Sequence, residues 1–195
     1  MAIKKHNKVR VIAGRLRGRH ITFTDSPGLR PTGDRLRETL FSWLQPTLVD
    51  SRVLDLFAGS GALGFEAASR GAQHVTMVEK SRKVCEVLRQ NAIHLEVEGI
   101  VVICADALDL ISDSAGLGEC GDQKHFDIVF VDPPFGENLH QTVTDRLSNS
   151  HWLAKNSLVV IESDRRAGQL SVPGHWRLQK EKIAGEVQLQ LYSVQ

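Results

Sequence analysis

The residues with the clearest chemical character end an apolar segment, Phe126-Asp-Ile-Val-Phe-Val-Asp-Pro-Pro-Phe135. Two prolines fix φ and end the strand, so the turn can direct the Asp132 carboxylate and the Pro133 carbonyl oxygen at one point. Phe135 adds a ring for stacking. Such a pocket suits a flat base that carries an exocyclic amine. Accepting hydrogen bonds from that amine would favour attack by its nitrogen and stabilise the positive charge that develops.

A glycine-rich turn supplies the second candidate site. The run Val53-Leu-Asp-Leu-Phe-Ala-Gly-Ser-Gly-Ala-Leu-Gly64 satisfies G-x-G-x-x-G and predicts a strand, a tight turn and a helix N-terminus. A dinucleotide site is therefore one reading. Asp55 favours another, because a carboxylate is unfavourable beside a pyrophosphate and suits a ligand with an ammonium group. S-adenosyl-L-methionine is such a ligand.

Two more acidic residues follow predicted strands. Glu79 ends the strand after the glycine turn, where a carboxylate can accept hydrogen bonds from both hydroxyls of a ribose. Asp106 follows the next strand and could accept a hydrogen bond from an adenine amino group. It could equally cap the helix that begins at Ala107, and both roles can hold together.

Composition limits the remaining chemistry. The 195 residues include three cysteines without a Cys-x-x-Cys pair, and the histidines lack ligand spacing, so we expect no metal site and no disulfide framework. The longest apolar runs are far shorter than a membrane span, and residues 1–8 contain no apolar stretch of signal-peptide type. A cytoplasmic protein without membrane contact is the expectation.

The positive charge is concentrated at one end of the chain. Residues 1–45 hold ten basic and three acidic side chains, whereas residues 46–195 hold 14 basic and 20 acidic ones. This asymmetry predicts a polyanionic partner. The arginines alternate with apolar residues, which favours an ordered basic hairpin and helix over a solvated tail.

The pattern of apolar residues predicts a Rossmann-like α/β fold. We expect a doubly wound, mostly parallel sheet, closed by a C-terminal antiparallel hairpin and preceded by a small N-terminal β-hairpin and helix. The hairpin would present three arginines at its tip, Thr32 would cap the helix and Pro46 would end it. The stretch 113–125 is the least predictable part of the core. Predicted strands lie at 9–13, 20–24, 53–57, 74–79, 100–104, 126–131, 157–162, 176–182 and 187–194, and predicted core helices at 61–70, 81–95, 107–112 and 138–149.

The order of these motifs resembles the class I S-adenosylmethionine-dependent methyltransferases. Two N-terminal segments, Arg10-Val-Ile-Ala-Gly-Arg-Leu-Arg-Gly-Arg19 and Arg30-Pro-Thr-Gly-Asp-Arg-Leu-Arg-Glu-Thr-Leu-Phe-Ser-Trp-Leu44, narrow the resemblance to the RsmD family of bacterial 16S rRNA guanine-N2 methyltransferases. The similarity extends from about Val9 to Tyr192. We expect residues 1–45 to form a basic RNA-binding extension and residues 46–195 to form the methyltransferase domain.

The resemblance implies a role for each matching residue. The methyl acceptor would be the exocyclic N2 of a guanine in 16S rRNA, within 30S particles, and the enzyme would act as a monomer. Asp132, Pro133 and Phe135 would hold the base. The residues implied to bind the cofactor are Asp55, Phe57, Gly59, Gly61, Glu79 and Asp106. The residues expected to bind RNA are Arg10, Arg15, Arg17, Arg19, Arg30, Thr32, Arg35 and Arg37.

Three other functions remain open at this point. A DNA adenine-N6 methyltransferase uses a similar Asp-Pro-Pro-aromatic run, although no separate target-recognition domain is evident here. A nicotinamide-dependent oxidoreductase would share the glycine pattern and Glu79 but would leave Asp55 without a role. A non-catalytic RNA-binding assembly factor would not need a cofactor pocket.

Overall fold

A computed structural model describes residues 7–23, 33–112, 125–134, 139–168 and 170–195. Within these ranges the strands and helices alternate as the sequence predicts. The strands are β1 (Asn7–Arg10), β2 (His20–Phe23), β3 (Arg52–Asp55), β4 (His74–Glu79), β5 (Ile100–Cys104), β6 (Phe126–Val131), β7 (Leu153–Asp164), β8 (Trp176–Ala184) and β9 (Val187–Val194). The helices are α1 (Asp34–Leu48), α2 (Ala62–Ser69), α3 (Arg82–His94), α4 (Ala107–Ser112) and α5 (Leu139–Ser148).

Seven strands form the central sheet in the order β5-β4-β3-β6-β7-β9-β8. The strands from β5 to β7 are parallel, and β9 and β8 continue the sheet antiparallel to their neighbours. The predicted fold class is confirmed. The chain moves outward in one direction from β3 and in the other from β6, so the carboxyl ends of these two strands form the switch point at which open α/β sheets bind ligands.

Two apolar cores cover the two faces of the sheet. The first contains buried side chains of the N-terminal hairpin and of α1, α2 and α3, packed on Phe130 and Val160. The second contains side chains of α4 and α5 together with Trp152 and Trp176. The N-terminal hairpin, an antiparallel pair of β1 and β2, is therefore part of a core that it shares with the sheet.

Helix α1 differs from its prediction at both ends. It begins at Asp34 after Gly33, which provides no side-chain cap. Pro46 lies inside the helix, because its ring is exposed and the buried stripe continues one turn further to Leu48. The prediction that Pro46 ends the helix is wrong. The domain boundary expected after residue 45 consequently falls within α1.

Other boundaries shift in ways that local pairing explains. β3 ends at Asp55, two residues before its prediction, and the glycine turn begins there. β7 begins at Leu153, four residues before its prediction, with an irregular register against β6 between Phe126 and Ile128. β1 begins at Asn7 and ends at Arg10, so residues 11–19 form the connecting turns. No helix among the described residues is long and apolar enough to cross a membrane.

Candidate active site

Asp55 is a buried acid at the centre of the switch point. Asp55 is the last residue of β3 and is 2% exposed. The carboxyl accepts hydrogen bonds from the backbone N–H groups of Gly64 and Phe57, but its Oδ2 has no partner in the part of the chain that the structure describes. Burial, opposed by those two hydrogen bonds and reinforced by the charge of Glu79, raises the pKa of Asp55 to about 7. A cationic ligand would supply the missing partner.

The glycine turn brings the backbone close to Asp55. Gly61 precedes α2 in a left-handed conformation with φ of 79°. A Cβ at Gly61 would lie 2.6 Å from Leu88 Cδ2 and 2.8 Å from ring atoms of Phe65, so only glycine fits. Gly59 also has a positive φ, of 49°.

Glu79 joins the glycine turn to the end of β4. One carboxylate oxygen accepts a hydrogen bond of 3.2 Å from the Gly59 N–H, and the other accepts one of 2.7 Å from the Ser81 N–H. The side chain is half-buried and fixed before any ligand arrives. This position agrees with the predicted contact to ribose hydroxyls, which would use the remaining lone pairs.

Asp106 follows β5 and is exposed. Its Oδ1 accepts a hydrogen bond of 2.8 Å from the Leu108 N–H, so it does cap α4 as one of the two sequence readings expected. The second carboxylate oxygen is not engaged by that bond. The capping role therefore leaves the proposed contact to an adenine amino group open.

Asp132 lies directly after β6, two residues beyond Phe130, which pairs with Asp55 on the neighbouring strand β3. The residue is half-buried, and Pro133 is buried. Burial raises the pKa of Asp132 well above its usual range, and the charges of Glu162 and Asp55 raise it further. Phe135 lies outside the described residues. The structure thus gathers Asp55, Glu79, Asp106 and Asp132 at the carboxyl ends of four adjacent strands.

Sequence reasoning missed Glu162, a buried acid on β7. It is 5% exposed and follows the apolar run Leu158 to Ile161. The same signal, an acidic residue at the end of an apolar strand, identified Glu79 and could have identified Glu162. Among the described residues, no group of three or more His, Cys, Asp or Glu side chains is arranged to hold a metal ion.

The N-terminal hairpin of β1 and β2 and the helix α1, together called the basic arm, carry an exposed set of arginines. Arg15, Arg17 and Arg19 are exposed in the turns that connect β1 to β2, as predicted for the hairpin tip. The Arg19 guanidinium donates a hydrogen bond of 3.2 Å to the His94 carbonyl oxygen at the end of α3. Arg10 and Arg35 are exposed as well, and Arg10 lies 3.7 Å from Asp34. Arg30 and Thr32 lie outside the described residues.

Arg37 does not belong to this surface, which corrects the expectation that it contacts RNA. Its side chain is fully buried and forms ion pairs of 2.7 Å with Asp34 and 3.7 Å with Glu66. It also donates a hydrogen bond of 3.0 Å to the Arg10 carbonyl oxygen. A buried guanidinium with these partners holds the arm to the sheet domain and cannot reach a phosphate.

The hairpin is fastened to α2 by polar contacts that the sequence does not reveal. Glu66 is fully buried and accepts hydrogen bonds of 2.7 Å and 3.0 Å from the Ile12 and Ala13 N–H groups. Ser69 Oγ donates to the Ala13 carbonyl oxygen at 2.5 Å and accepts from the Leu16 N–H at 3.0 Å. A Cβ on Gly14 would lie 1.9 Å from the Ser69 carbonyl oxygen.

A second attachment joins the hairpin to α3. Asn91 is buried, and its side chain accepts hydrogen bonds from the Thr22 N–H and hydroxyl and donates one to the Thr22 carbonyl oxygen. Helices α2 and α3 begin next to the glycine turn and Glu79, respectively. Both helices therefore join the basic arm to the edge of the sheet that carries Asp55 and Glu79.

Known proteins resemble the chain over nearly its whole length. It matches the family model described as Conserved hypothetical protein 95 over residues 9–193. The Ribosomal RNA small subunit methyltransferase D of Escherichia coli K12 is 42% identical over 185 residues, which cover 95% of this chain and 89% of that protein. The protein of the same description from Haemophilus influenzae is 43% identical over 187 residues, which cover 95% and 93%. The solved structure described as "Putative methyltransferase yhhF from Escherichia coli" is 39% identical with a TM-score of 0.85, covering 97% of this chain and 99% of that one.

Proposed function

Because the chain belongs to the Conserved hypothetical protein 95 family, the RsmD family of small-subunit ribosomal RNA methyltransferases, we propose that its methyl acceptor is the exocyclic N2 of a guanine. The reaction transfers a methyl group from S-adenosyl-L-methionine to 16S rRNA. The observation that supports an exocyclic amine as the acceptor is the placement of two acidic side chains, Asp55 and Asp132, at the ends of adjacent strands. The choice of guanine N2 rests on the resemblance to the RsmD family.

The residues around Asp55 fit the cofactor. The unpartnered Oδ2 of Asp55 suits the ammonium group of the methionine moiety, with Phe57 beside it. The glycine turn of Gly59 and Gly61 permits close approach of the backbone. Glu79 would accept hydrogen bonds from the ribose hydroxyls, and Asp106 one from the adenine amine. When bound, S-adenosylmethionine supplies a methyl group on a positively charged sulfur.

Asp132 and Pro133 would act on the other reactant. The Asp132 carboxylate and the Pro133 carbonyl oxygen would accept hydrogen bonds from the two N–H groups of the base amine, which makes the nitrogen lone pair less delocalised into the ring. A hydrogen bond to a charged group contributes about 1.5–3 kcal/mol, and it strengthens as positive charge develops on the nitrogen. Holding the amine in line with the methyl group supplies a further large part of the acceleration. Phe135 is proposed to stack on the base.

The exposed arginines provide the proposed RNA surface. Arg10, Arg15, Arg17, Arg19 and Arg35 lie on an arm that Glu66, Ser69 and Asn91 fix to the catalytic domain. Phosphate contacts set affinity and orientation, whereas the base pocket selects the reacting atom. Arg30 and Thr32 remain proposed members of this surface.

The substrate form and the cellular location complete the proposal. The exposed arginines lie on an ordered arm that is attached to the sheet domain, which suits a folded RNA. We therefore propose that the substrate is 16S rRNA within 30S particles. The enzyme would act there as a monomer. Its place would be the cytoplasm, where ribosomal subunits assemble.

Transfer of a labelled methyl group to different nucleic acids tests this function. The protein is incubated with radiolabelled S-adenosylmethionine and, in separate reactions, with 30S particles that lack the modification, naked 16S rRNA or duplex DNA. We expect label in 30S particles and none in DNA, and loss of label with Asp132→Ala. Label in DNA would contradict the proposal and favour an adenine-N6 methyltransferase. Efficient transfer to naked rRNA alone would refute the particle as substrate.

A further inference from the structure

Three acidic residues form a row across the carboxyl edge of the sheet. Strands β3, β6 and β7 are adjacent, and their register pairs Asp55 with Phe130 and Phe130 with Val160. Asp132 lies two residues beyond Phe130, and Glu162 lies two residues beyond Val160. Side chains two apart along a strand share a face, so Glu162 lies on the face of β7 that carries Val160, the same face as Asp55. Asp132 directly follows the end of β6 between them. The function proposed above uses Asp55 and Asp132 and leaves Glu162 without a role.

Glu162 is placed to influence Asp132 and is itself almost inaccessible to solvent. The residue is 5% exposed, whereas Asp132 is half-buried at the rim. Negative charges that interact in a poorly solvated environment disfavour ionisation of their neighbours. Burial is the largest cause of the raised pKa of Asp132, and Glu162 is the largest charged contributor, ahead of Asp55.

Two further titratable groups among the described residues, Glu79 and His140, lie near the row, and neither brings a positive charge to it. Glu79 faces Asp55 and adds negative charge. His140 of α5 lies against Glu162, and its Nε2 donates a hydrogen bond of 2.8 Å to the backbone carbonyl oxygen of Glu162. Burial lowers the pKa of His140, so its ring is neutral at physiological pH.

We infer that Glu162 is a positioning residue for methyl transfer, which acts through Asp132 by making that carboxylate a stronger acceptor for the proton released by the target amine. This inference rests on the proposed contact between Asp132 and the amine. The amine nitrogen uses its lone pair to form the bond to the methyl carbon, and the electron pair of the carbon–sulfur bond stays on sulfur. The nitrogen then carries a positive charge, and one N–H proton passes to Asp132. Asp132 returns the proton to water when the methylated base leaves.

If Glu162 acts through Asp132, the pH dependence of methyl transfer must change when the charge of Glu162 is removed. Asp132 must be ionised to accept the amine, so the acid limb of kcat/KM for RNA reports its ionisation in the free enzyme. Replacing Glu162 by a neutral residue removes the neighbouring negative charge. The acid limb should then move to lower pH. The rate on the plateau should fall roughly tenfold or more, because Asp132 becomes a weaker base.

The experiment compares Glu162→Gln with Glu162→Asp, which keeps the charge, and with Glu98→Gln, an exposed acid in the turn before β5. Label transferred to 30S particles is measured from pH 5.5 to 9 and counted whichever nucleoside carries it. Glu162→Gln should show the shifted limb and the lower plateau, Glu162→Asp should restore the limb, and Glu98→Gln should match the wild type. Glu162→Ala provides a second charge-free variant if the glutamine variant does not fold.

A titration without substrate separates this inference from the proposed function. The side-chain carboxyl of Asp132 is followed by carbon NMR in the empty protein, where Glu162→Gln should move its titration to lower pH. An unchanged titration and an unchanged acid limb would overturn the role of Glu162. A shifted titration in a protein that methylates no guanine would keep the coupling of the two acids and refute only the proposed substrate atom.

Discussion

Asp55 should destabilise the empty protein at neutral pH, because it is held ready for a cation. Its pKa rises from 3.8 to about 7 on folding. Above pH 3.8 the unfolded chain releases a proton that the folded protein retains, so stability falls as the pH rises towards 7 and is then level. At 1.36 kcal/mol per pKa unit, the full cost is about 4 kcal/mol. Roughly 3 kcal/mol of this loss of stability occurs between pH 5 and 8.5.

The variant Asp55→Asn removes this ionisation. Relative to the variant, the wild type should lose roughly 6–12 °C in Tm between pH 5 and 8.5, since 1 kcal/mol corresponds to about 2–4 °C for a chain of this size. Thermal unfolding of the cofactor-free proteins across this range measures the difference. Asp109→Asn, an exposed acid on α4, is the control and should follow the wild type.

Addition of S-adenosylhomocysteine, which retains the ammonium group, should raise the Tm of the wild type most at high pH and stabilise Asp55→Asn far less. Parallel Tm curves for the wild type and Asp55→Asn over the whole pH range would refute the reasoning about this buried acid.

The remaining predictions concern the base pocket and the basic arm. Asp132→Ala should abolish turnover with nearly unchanged cofactor affinity, whereas Glu79→Ala should weaken cofactor binding by roughly 1–3 kcal/mol in calorimetry. Gly14→Ala should destabilise the protein by roughly 2–4 kcal/mol in urea unfolding, because the new Cβ meets the Ser69 carbonyl oxygen at a positive φ. The matched control is Gly18→Ala, which has a similar φ and open space around it and should cost only about 1 kcal/mol. Replacing Arg15, Arg17 and Arg19 together by alanine should raise the KM for 30S particles. It should also reduce the slope of log binding constant against log salt concentration by up to about three.

Each of these predictions has a contradicting result. Equal loss of cofactor binding in Asp132→Ala and Glu79→Ala would remove the division between base and cofactor sites. Equal destabilisation by the two glycine variants would show that the hairpin does not pack on α2. A lower Tm with an unaltered salt slope in the triple arginine variant would assign those side chains to stability instead of RNA binding.

Local patterns predicted the parts of the fold in which each residue's environment follows from its neighbours. The bounds of β4, β5 and β6 agree with prediction because each is a short apolar run that ends at a clear polar signal. The sequence also predicted that Asp55, Glu79 and Asp132 lie at one edge of the sheet, because each follows an apolar strand. Their gathering follows from the topology of parallel strands.

Long-range contacts explain what the sequence did not reveal. Arg37 reads as one more basic residue of the arm, and only the buried Glu66, far along the chain, makes it a structural ion pair. Pro46 reads as a helix terminator, yet burial of Leu48 extends α1 beyond it. The role of Glu162 depends on the register of β7 against β6, which composition and spacing do not specify.

The identity of the methylated nucleoside tests the central claim most directly. 30S particles that lack the modification are incubated with the protein and S-adenosylmethionine carrying a heavy-isotope methyl group, and the 16S rRNA is digested and analysed by mass spectrometry. The account predicts the label in N2-methylguanosine at a single position, and its loss with Asp132→Ala. Label in N6-methyladenosine, or in a guanosine methylated on a ring nitrogen, would contradict it.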